Sequence, residues 1–316
     1  MLCNHTQAFT PNNWRLSKLQ RATSPRLKAN FITFDLDDTI FPVGPVVNDA
    51  NVALIHHLNT LGCASSQDDF LTTTKLIRTE LAKEDKAITY TELRKRAIRI
   101  EMEKHLETNL ISDNEVFGAY DLWEDHRHMA AERYLYSDTI SMLREIKENH
   151  PDVIIAAITN GKGNPLKMNS IREYFDFCVS GEDDDVFPLR KPHEGIYTVA
   201  LERFKELCEK RGKSIAIDEQ CWIHVGDDLA NDVGGSAKCG AYAVWVDLED
   251  DYNQTASKRD ANAKQPAWST ATKEELEKRK LMNEQAQKYI SATVSRLDKL
   301  PSAVQMISNS MVQQSR

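Results

Sequence analysis

The stretch from Phe31 to Thr39, reading FITFDLDDT, constrains the fold of this chain more than any other. Four uncharged residues rich in aromatic and β-branched side chains run directly into Asp35, Asp37 and Asp38, the pattern of a buried strand that ends in carboxylates. Acids packed at a strand end repel one another, and a hard cation bound through oxygen relieves that repulsion. The stretch therefore predicts a Mg²⁺-dependent site at the carboxyl edge of a sheet.

Other apolar runs end in polar groups in the same manner. Residues 153–158 lead into Thr159, Asn160 and Gly161, and residues 221–225 lead into Gly226, Asp227 and Asp228. A fourth run covers residues 242–246, and residues 171–179 pass into an acidic loop, 182–185, before Arg190, Lys191 and Pro192. Helical spacing separates these runs, which implies an α/β fold: a Rossmann-like parallel sheet with right-handed crossovers and ligands outside the carboxyl ends of its strands. Residues 48–136 differ, with apolar positions three and four apart and little Gly, and read as a block of helices inserted after the first strand as a lid. The Pro and Gly between Phe41 and Pro45 predict a loop over the carboxylates. The expected organisation is a basic polar extension (1–30), an α/β core (31–42 and 137–250), a helical cap (43–136), and a charged excursion followed by a closing strand and helix (251–316).

With 48 acidic against 40 basic residues the formal charge is -8, which disfavours nucleic acid or an anionic membrane surface as partner. No apolar run approaches the roughly 20 residues of a membrane-spanning helix. Cys3, Cys63, Cys178, Cys208, Cys221 and Cys239 are scattered without a C-x-x-C pair and read as reduced thiols in an intracellular protein, cytoplasmic unless the N-terminus addresses it to an organelle. The first 34 residues contain no Asp or Glu before the motif but carry Arg15, Lys18, Arg21, Arg26 and Lys28. Two readings stay open there: a disordered polar extension, or a transit peptide to a plastid or mitochondrion. Nothing in the pattern sets an oligomeric state.

The three strand ends carry a coherent chemistry. Asp35, Asp37 and Asp227 supply the oxygen donors that a divalent cation requires. Asp35 and Asp37 also form a pair in which one carboxylate attacks phosphorus and the other moves the proton of the leaving oxygen. Lys191, Thr159 and Asn160 offer a cation and donors to the equatorial oxygens of the transferred phosphoryl group. Asp232 is placed to hold metal-bound water or to orient Lys191 from behind. Asp228 reads as a cap on the following helix and Asp38 as outside the chemistry. Arg94 and Arg96 either grip a substrate anion or form a solvated helix face. The run from Trp123 to His128 reads as a helix surface, the acids from Glu182 to Asp185 as a solvated loop, and His224 as packed within its strand.

DLDDT, then ITNG, then RKP before a helix, then VGDDLANDVGG, in this order and with an insertion after the first, resembles the haloacid dehalogenase-like hydrolase superfamily with a C1-type cap. The resemblance runs from about Phe31 to Val246. It implies that Asp35 is the nucleophile and Asp37 the acid/base, as in the phosphatase branch. It also implies that Mg²⁺ is held by Asp35, the carbonyl of Asp37, and Asp227. The surroundings of the motifs, EYFDFCVSGEDDDVFPLRKPHEGIY and IHVGDDLANDVGGSAKCGA, are similar to flavin-pathway phosphatases of bacteria and plant plastids. These act on FMN or 5-amino-6-(5-phospho-D-ribitylamino)uracil, so the implied partner is a small phosphorylated metabolite. The alternatives are a phosphatase for a sugar phosphate or nucleoside monophosphate, and a catalytically silent binding protein on the same scaffold.

Overall fold

The computed structural model describes residues 29–84, 86–107, 111–213, 221–255 and 271–314; the basic segment 1–28, Cys3 included, lies outside them. Six strands, β1 (Phe31–Phe34), β2 (Ile154–Thr159), β3 (Phe177–Ser180), β4 (Trp222–Gly226), β5 (Tyr242–Val246) and β6 (Ile290–Val294), form one parallel sheet in the order β3-β2-β1-β4-β5-β6. The chain leaves β1 toward one edge and returns to build the other, so the crevice where such sheets bind ligands opens at the carboxyl end of β1.

Alternation along the strands sorts their side chains between the two faces. Ile32, Phe34, Ile155, Ala157, Ile223 and Val225 join a core with Met142, Leu143 and Ile146 of α5 (Thr139–Asn149) and Val304 of α9 (Leu300–Gln314). Phe31, Ile154, Ala156, Ile158 and Trp222 face the other way, onto Ile196, Ala200 and Phe204 of α6 (Glu194–Lys210). Phe31 stacks on Phe204 with ring centroids 4.4 Å apart. Burying aromatic and branched side chains of this size stabilises the fold by roughly 1.5–3 kcal/mol each.

Four helices inserted after β1 form the cap: α1 (Val43–Thr60), α2 (Gln67–Lys83), α3 (Tyr90–His105) and α4 (Asp113–Arg133). They bury a core of their own around Leu54, Leu58, Phe70, Ile98, Met102, Ala119 and Trp123. Where a loop was expected between Phe41 and Pro45, α1 already begins at Val43. Gly44 and Pro45 fall in its first turn, where a missing N–H costs nothing because first-turn amides have no intrahelical acceptor. Asp38, buried and in the left-handed conformation at φ 62°, accepts the Val43 N–H at 3.1 Å and so ties the helix start to the end of β1.

The charged excursion contains a helix that is exposed along most of its length, as its charges imply. Its helix, α8 (Lys273–Ala286), packs against the π-helical turn Leu229–Gly234 that follows β4 and leads into the short α7 (Gly235–Lys238). Asn283 accepts the Ala230 N–H at 2.9 Å, Arg279 pairs with Asp228, and Glu275 reaches Arg78 of the cap at 2.6 Å. Among the described residues no helix is long and apolar enough to cross a membrane.

Candidate active site

The loops that leave β1, β2 and β4 meet at one edge because the three strands are neighbours in register. β1 pairing ends with the Asp35 N–H donating to Val225 O at 2.8 Å, and the chain then turns tightly, Ile40 N–H returning to Leu36 O at 3.0 Å. The Thr39 hydroxyl lies 3.2 Å from Asp35 Oδ2 and 3.3 Å from Asp227 Oδ1, so one donor spans two buried carboxylates from different strands.

Lys191 is the cation of this edge. Its Nζ lies 2.5 Å from Asp35 Oδ1 and 2.8 Å from Asp232 Oδ1, and its side chain is only 3% exposed. Burial works against its charge, but Asp232 and Asp35 outweigh that and raise its pKa, so it stays protonated. The Asn160 carboxamide exchanges two hydrogen bonds with the Lys191 backbone, at 2.8 and 3.1 Å. Asn160 thereby holds the backbone that carries the lysine. Thr159 is buried beside it and accepts the Gly161 N–H at 3.3 Å.

Asp232 is the anchor behind the lysine. Its Oδ1 also lies 3.3 Å from His224 Nε2, and its Oδ2 accepts the Asp228 N–H at 3.0 Å. Donor logic settles the tautomer of His224. The ionised Asp232 carboxylate can only accept, so Nε2 carries the proton; Nδ1 of the neutral ring then accepts from the Thr33 hydroxyl at 2.8 Å, and that hydroxyl's oxygen accepts Trp222 Nε1–H at 2.9 Å. Burial lowers the His224 pKa against the pull of Asp232, which keeps the ring neutral. Burial by itself would raise the Asp232 pKa, yet Lys191 and His224 together bring it down to about 2. Gly226 makes this packing possible, since a Cβ there would lie 2.3 Å from Asp232 Cγ.

Asp35, Asp227 and Asp232 present carboxylate oxygens within 4.8 Å of one another. An all-oxygen, buried, multiply anionic donor set suits a hard divalent cation. The carboxylate of Asp37 is not in this cluster; it turns to Arg127, whose Nη2 donates to Asp37 Oδ1 at 2.7 Å. Arg127 corrects the expectation of a helix surface from Trp123 to His128. Arg127 and His128 are each 4% exposed, because α4 lays that face on the core instead of presenting it to water. Glu182 is likewise no solvated acid. It is buried and accepts the Tyr90 and Thr91 N–H groups at 2.9 and 3.2 Å, closing the start of α3. Of the cap arginines, Arg94 packs 3.6 Å over the Trp123 ring, while Arg96 is exposed and pairs with Glu92 on its own helix at 2.8 Å. Asp228 accepts the Asn231 N–H at 2.8 Å as the cap of the π-helical turn. Sequence reading missed Thr39 and Arg127. The only signal for Arg127 was its place one turn after Trp123.

A single parallel sheet with an inserted helical cap and an acidic edge built around a buried lysine defines a hydrolase of the haloacid dehalogenase-like kind. The model of that family, described as haloacid dehalogenase-like hydrolase, matches residues 30–240, and the chain belongs to it. Within the family it is similar to the 5-amino-6-(5-phospho-D-ribitylamino)uracil phosphatase YigB of Escherichia coli (strain K12), at 26% identity over 238 residues, 74% of this chain and 91% of that protein. It is also similar to the ribulose-1,5-bisphosphate 5-phosphatase of Halopiger xanaduensis, at 23% identity over 252 residues, 78% and 98% of the two chains. The chain is accordingly an enzyme, a phosphatase of this family. In fold it matches the 2-haloacid dehalogenase of Pseudomonas syringae pv. Tomato DC3000, with a TM-score of 0.58, 20% identity, and coverage of 87% and 98%.

Proposed function

We propose that this phosphatase hydrolyses the phosphomonoester of a small metabolite through a phosphoaspartate formed on Asp35. The observation that carries the reading is the Asp35 carboxylate held between Lys191 Nζ at 2.5 Å and the Thr39 hydroxyl at 3.2 Å, with Asp37 on the same turn. Asp35 attacks phosphorus and the bond to the leaving oxygen breaks, with Asp37 giving that oxygen its proton. Arg127 occupies Oδ1 of Asp37, so Oδ2 is the oxygen that carries the proton. Asp37 then takes a proton from water, whose oxygen attacks phosphorus as the bond to Asp35 breaks, and phosphate leaves. Lys191 and the Thr159 hydroxyl balance charge on the equatorial oxygens, and the chain from Trp222 to Asp232 keeps Lys191 in place. Asp35, Asp227 and the Asp37 carbonyl would hold Mg²⁺, which supplies Lewis-acid neutralisation of the phosphoryl charge.

The likeness to YigB makes 5-amino-6-(5-phospho-D-ribitylamino)uracil and FMN the first esters to assay. The likeness to the Halopiger enzyme favours a second reading, a sugar phosphate; nucleoside monophosphates complete the panel. In the test, wild type and Asp35→Asn are compared on p-nitrophenyl phosphate and this panel, with Mg²⁺ and with EDTA. Phosphate release lost in Asp35→Asn and in EDTA, with circular dichroism unchanged, is the expected result; near-normal turnover in the variant refutes the mechanism.

A further inference from the structure

Gln254, at the start of the charged excursion and beyond residues 30–240 that the family model matches, reaches back to the turn that follows β1. Its Nε2 donates to Asp38 O at 2.8 Å and to Val246 O at 3.0 Å, and its Oε1 accepts the Leu248 N–H at 3.1 Å. One carboxamide thus ties the end of β5 to the turn that carries Asp37. Beside it the Thr255 N–H donates to Asp38 Oδ1 at 3.3 Å, the oxygen that also receives the Val43 N–H. Tyr252 anchors this short segment. It is 6% exposed, meets the Tyr136 ring edge-on with centroids 5.3 Å apart, and donates its hydroxyl to Asp138 Oδ2 at 2.5 Å.

What Gln254 grips is the strained point of that turn. Asp38 has a φ of 62°, a region in which the Cβ of a residue other than glycine crowds the next carbonyl. Such a conformation persists only where its surroundings over-determine it. Phe41 O holds the Asp38 N–H at 2.8 Å and Gln254 holds the Asp38 carbonyl, so the peptide planes on both sides of the residue are fixed. The Asp37–Asp38 peptide is trans, which points the Asp37 carbonyl opposite to that N–H, away from Phe41. If Asp38 relaxes to an ordinary negative φ, the Asp37–Asp38 peptide rotates and its carbonyl swings with it. We infer that Gln254 is a positioning residue: by holding Asp38 in the left-handed conformation it keeps the Asp37 carbonyl in the orientation from which it would bind Mg²⁺. The inference rests on the Mg²⁺-dependent phosphatase reading and gives the excursion a part in it.

The test titrates the full chain with Mg²⁺ by calorimetry, as wild type, Gln254→Met and Phe204→Leu. Methionine keeps the length of the glutamine but donates nothing. Phe204 stacks on Phe31, at the opposite end of β1 from Asp35, so its replacement lowers stability without touching the turn. Losing a group that orients a metal ligand predicts Mg²⁺ binding weakened about 10-fold or more in Gln254→Met, with Phe204→Leu within about twofold of wild type. On p-nitrophenyl phosphate, Gln254→Met should need about 10-fold more Mg²⁺ for half-maximal rate, while KM for the ester at saturating Mg²⁺ moves less than about twofold. Coupling is reciprocal, so Mg²⁺ should also slow hydrogen exchange at the Leu248 and Thr255 amides of the wild type, a measurement that needs no variant to fold. Unchanged Mg²⁺ affinity in Gln254→Met, an equal loss in Phe204→Leu, or exchange at those amides indifferent to Mg²⁺ overturns the inference and leaves the phosphatase reading standing. A wild type that binds no Mg²⁺ and hydrolyses no ester refutes that reading itself, and the inference with it.

Discussion

Replacing Lys191 with Met tests the electrostatic design of the site. The methionine matches the length of the lysine stem but removes a cation that lies 2.5 Å from Asp35 and 2.8 Å from Asp232, with the Asp232 side chain 2% exposed. Deleting one partner of a buried pair strands the other charge and costs about 3–5 kcal/mol. The pH dependence follows from Asp232. Burial alone would raise its pKa, and Lys191 foremost, with His224, brings it down to about 2 in the native protein. That lowered value contributes stability which is fully present above the unfolded carboxylate pKa and is lost as pH falls through the folded one. Without Lys191 the Asp232 pKa rises, so the variant is penalised most at neutral pH and least near pH 4, where the carboxylate is protonated. Urea unfolding of wild type and Lys191→Met at pH 7 and pH 4.5, without Mg²⁺, measures this. The double variant Lys191→Met/Asp232→Asn should regain a large part of the loss at pH 7. A loss below about 1 kcal/mol at pH 7, or a double variant no more stable than the single one, would show that the lysine does not hold these acids in the manner argued.

Two further substitutions probe how the site is supported. Gly226→Ala places a methyl group 2.3 Å from Asp232 Cγ, so Asp232 must move and Lys191 with it; overpacking of this sort costs about 1–3 kcal/mol, and kcat on any hydrolysed ester should fall more than tenfold, roughly, with melting temperature and steady-state kinetics as the readouts. Glu182→Ala leaves the Tyr90 and Thr91 amides without their acceptor, and a chemical denaturation series should register a loss of about 1–2 kcal/mol. An unchanged midpoint would mean that water replaces the carboxylate at the start of α3.

What could be read from the chain was the part written in short, local patterns. A strand that ends in acids, a Thr-Asn-Gly after an apolar run, and a Gly-Asp-Asp after another are each a few residues long, and β-α alternation forces their ends to one edge. That is why the parallel sheet, the inserted helices and the meeting of Asp35 and Asp227 at one edge are legible in the sequence. The α1 start at Val43 escaped because Gly and Pro signal a loop in general but are tolerated in the first turn of a helix.

The partners of these residues were decided only by tertiary packing. Arg127 sits 90 residues from Asp37, Lys191 is 156 from Asp35, and Glu182 caps a helix 92 residues before it. No local period encodes such pairings, since a charged side chain in a helical pattern reads the same whether its face meets water or the core. The sequence determined which chemical groups reach the edge of the sheet, because strand ends are local features. The fold alone decided which of them are buried and which charge holds which, because burial and charge pairing are properties of surfaces that meet only when the chain has closed.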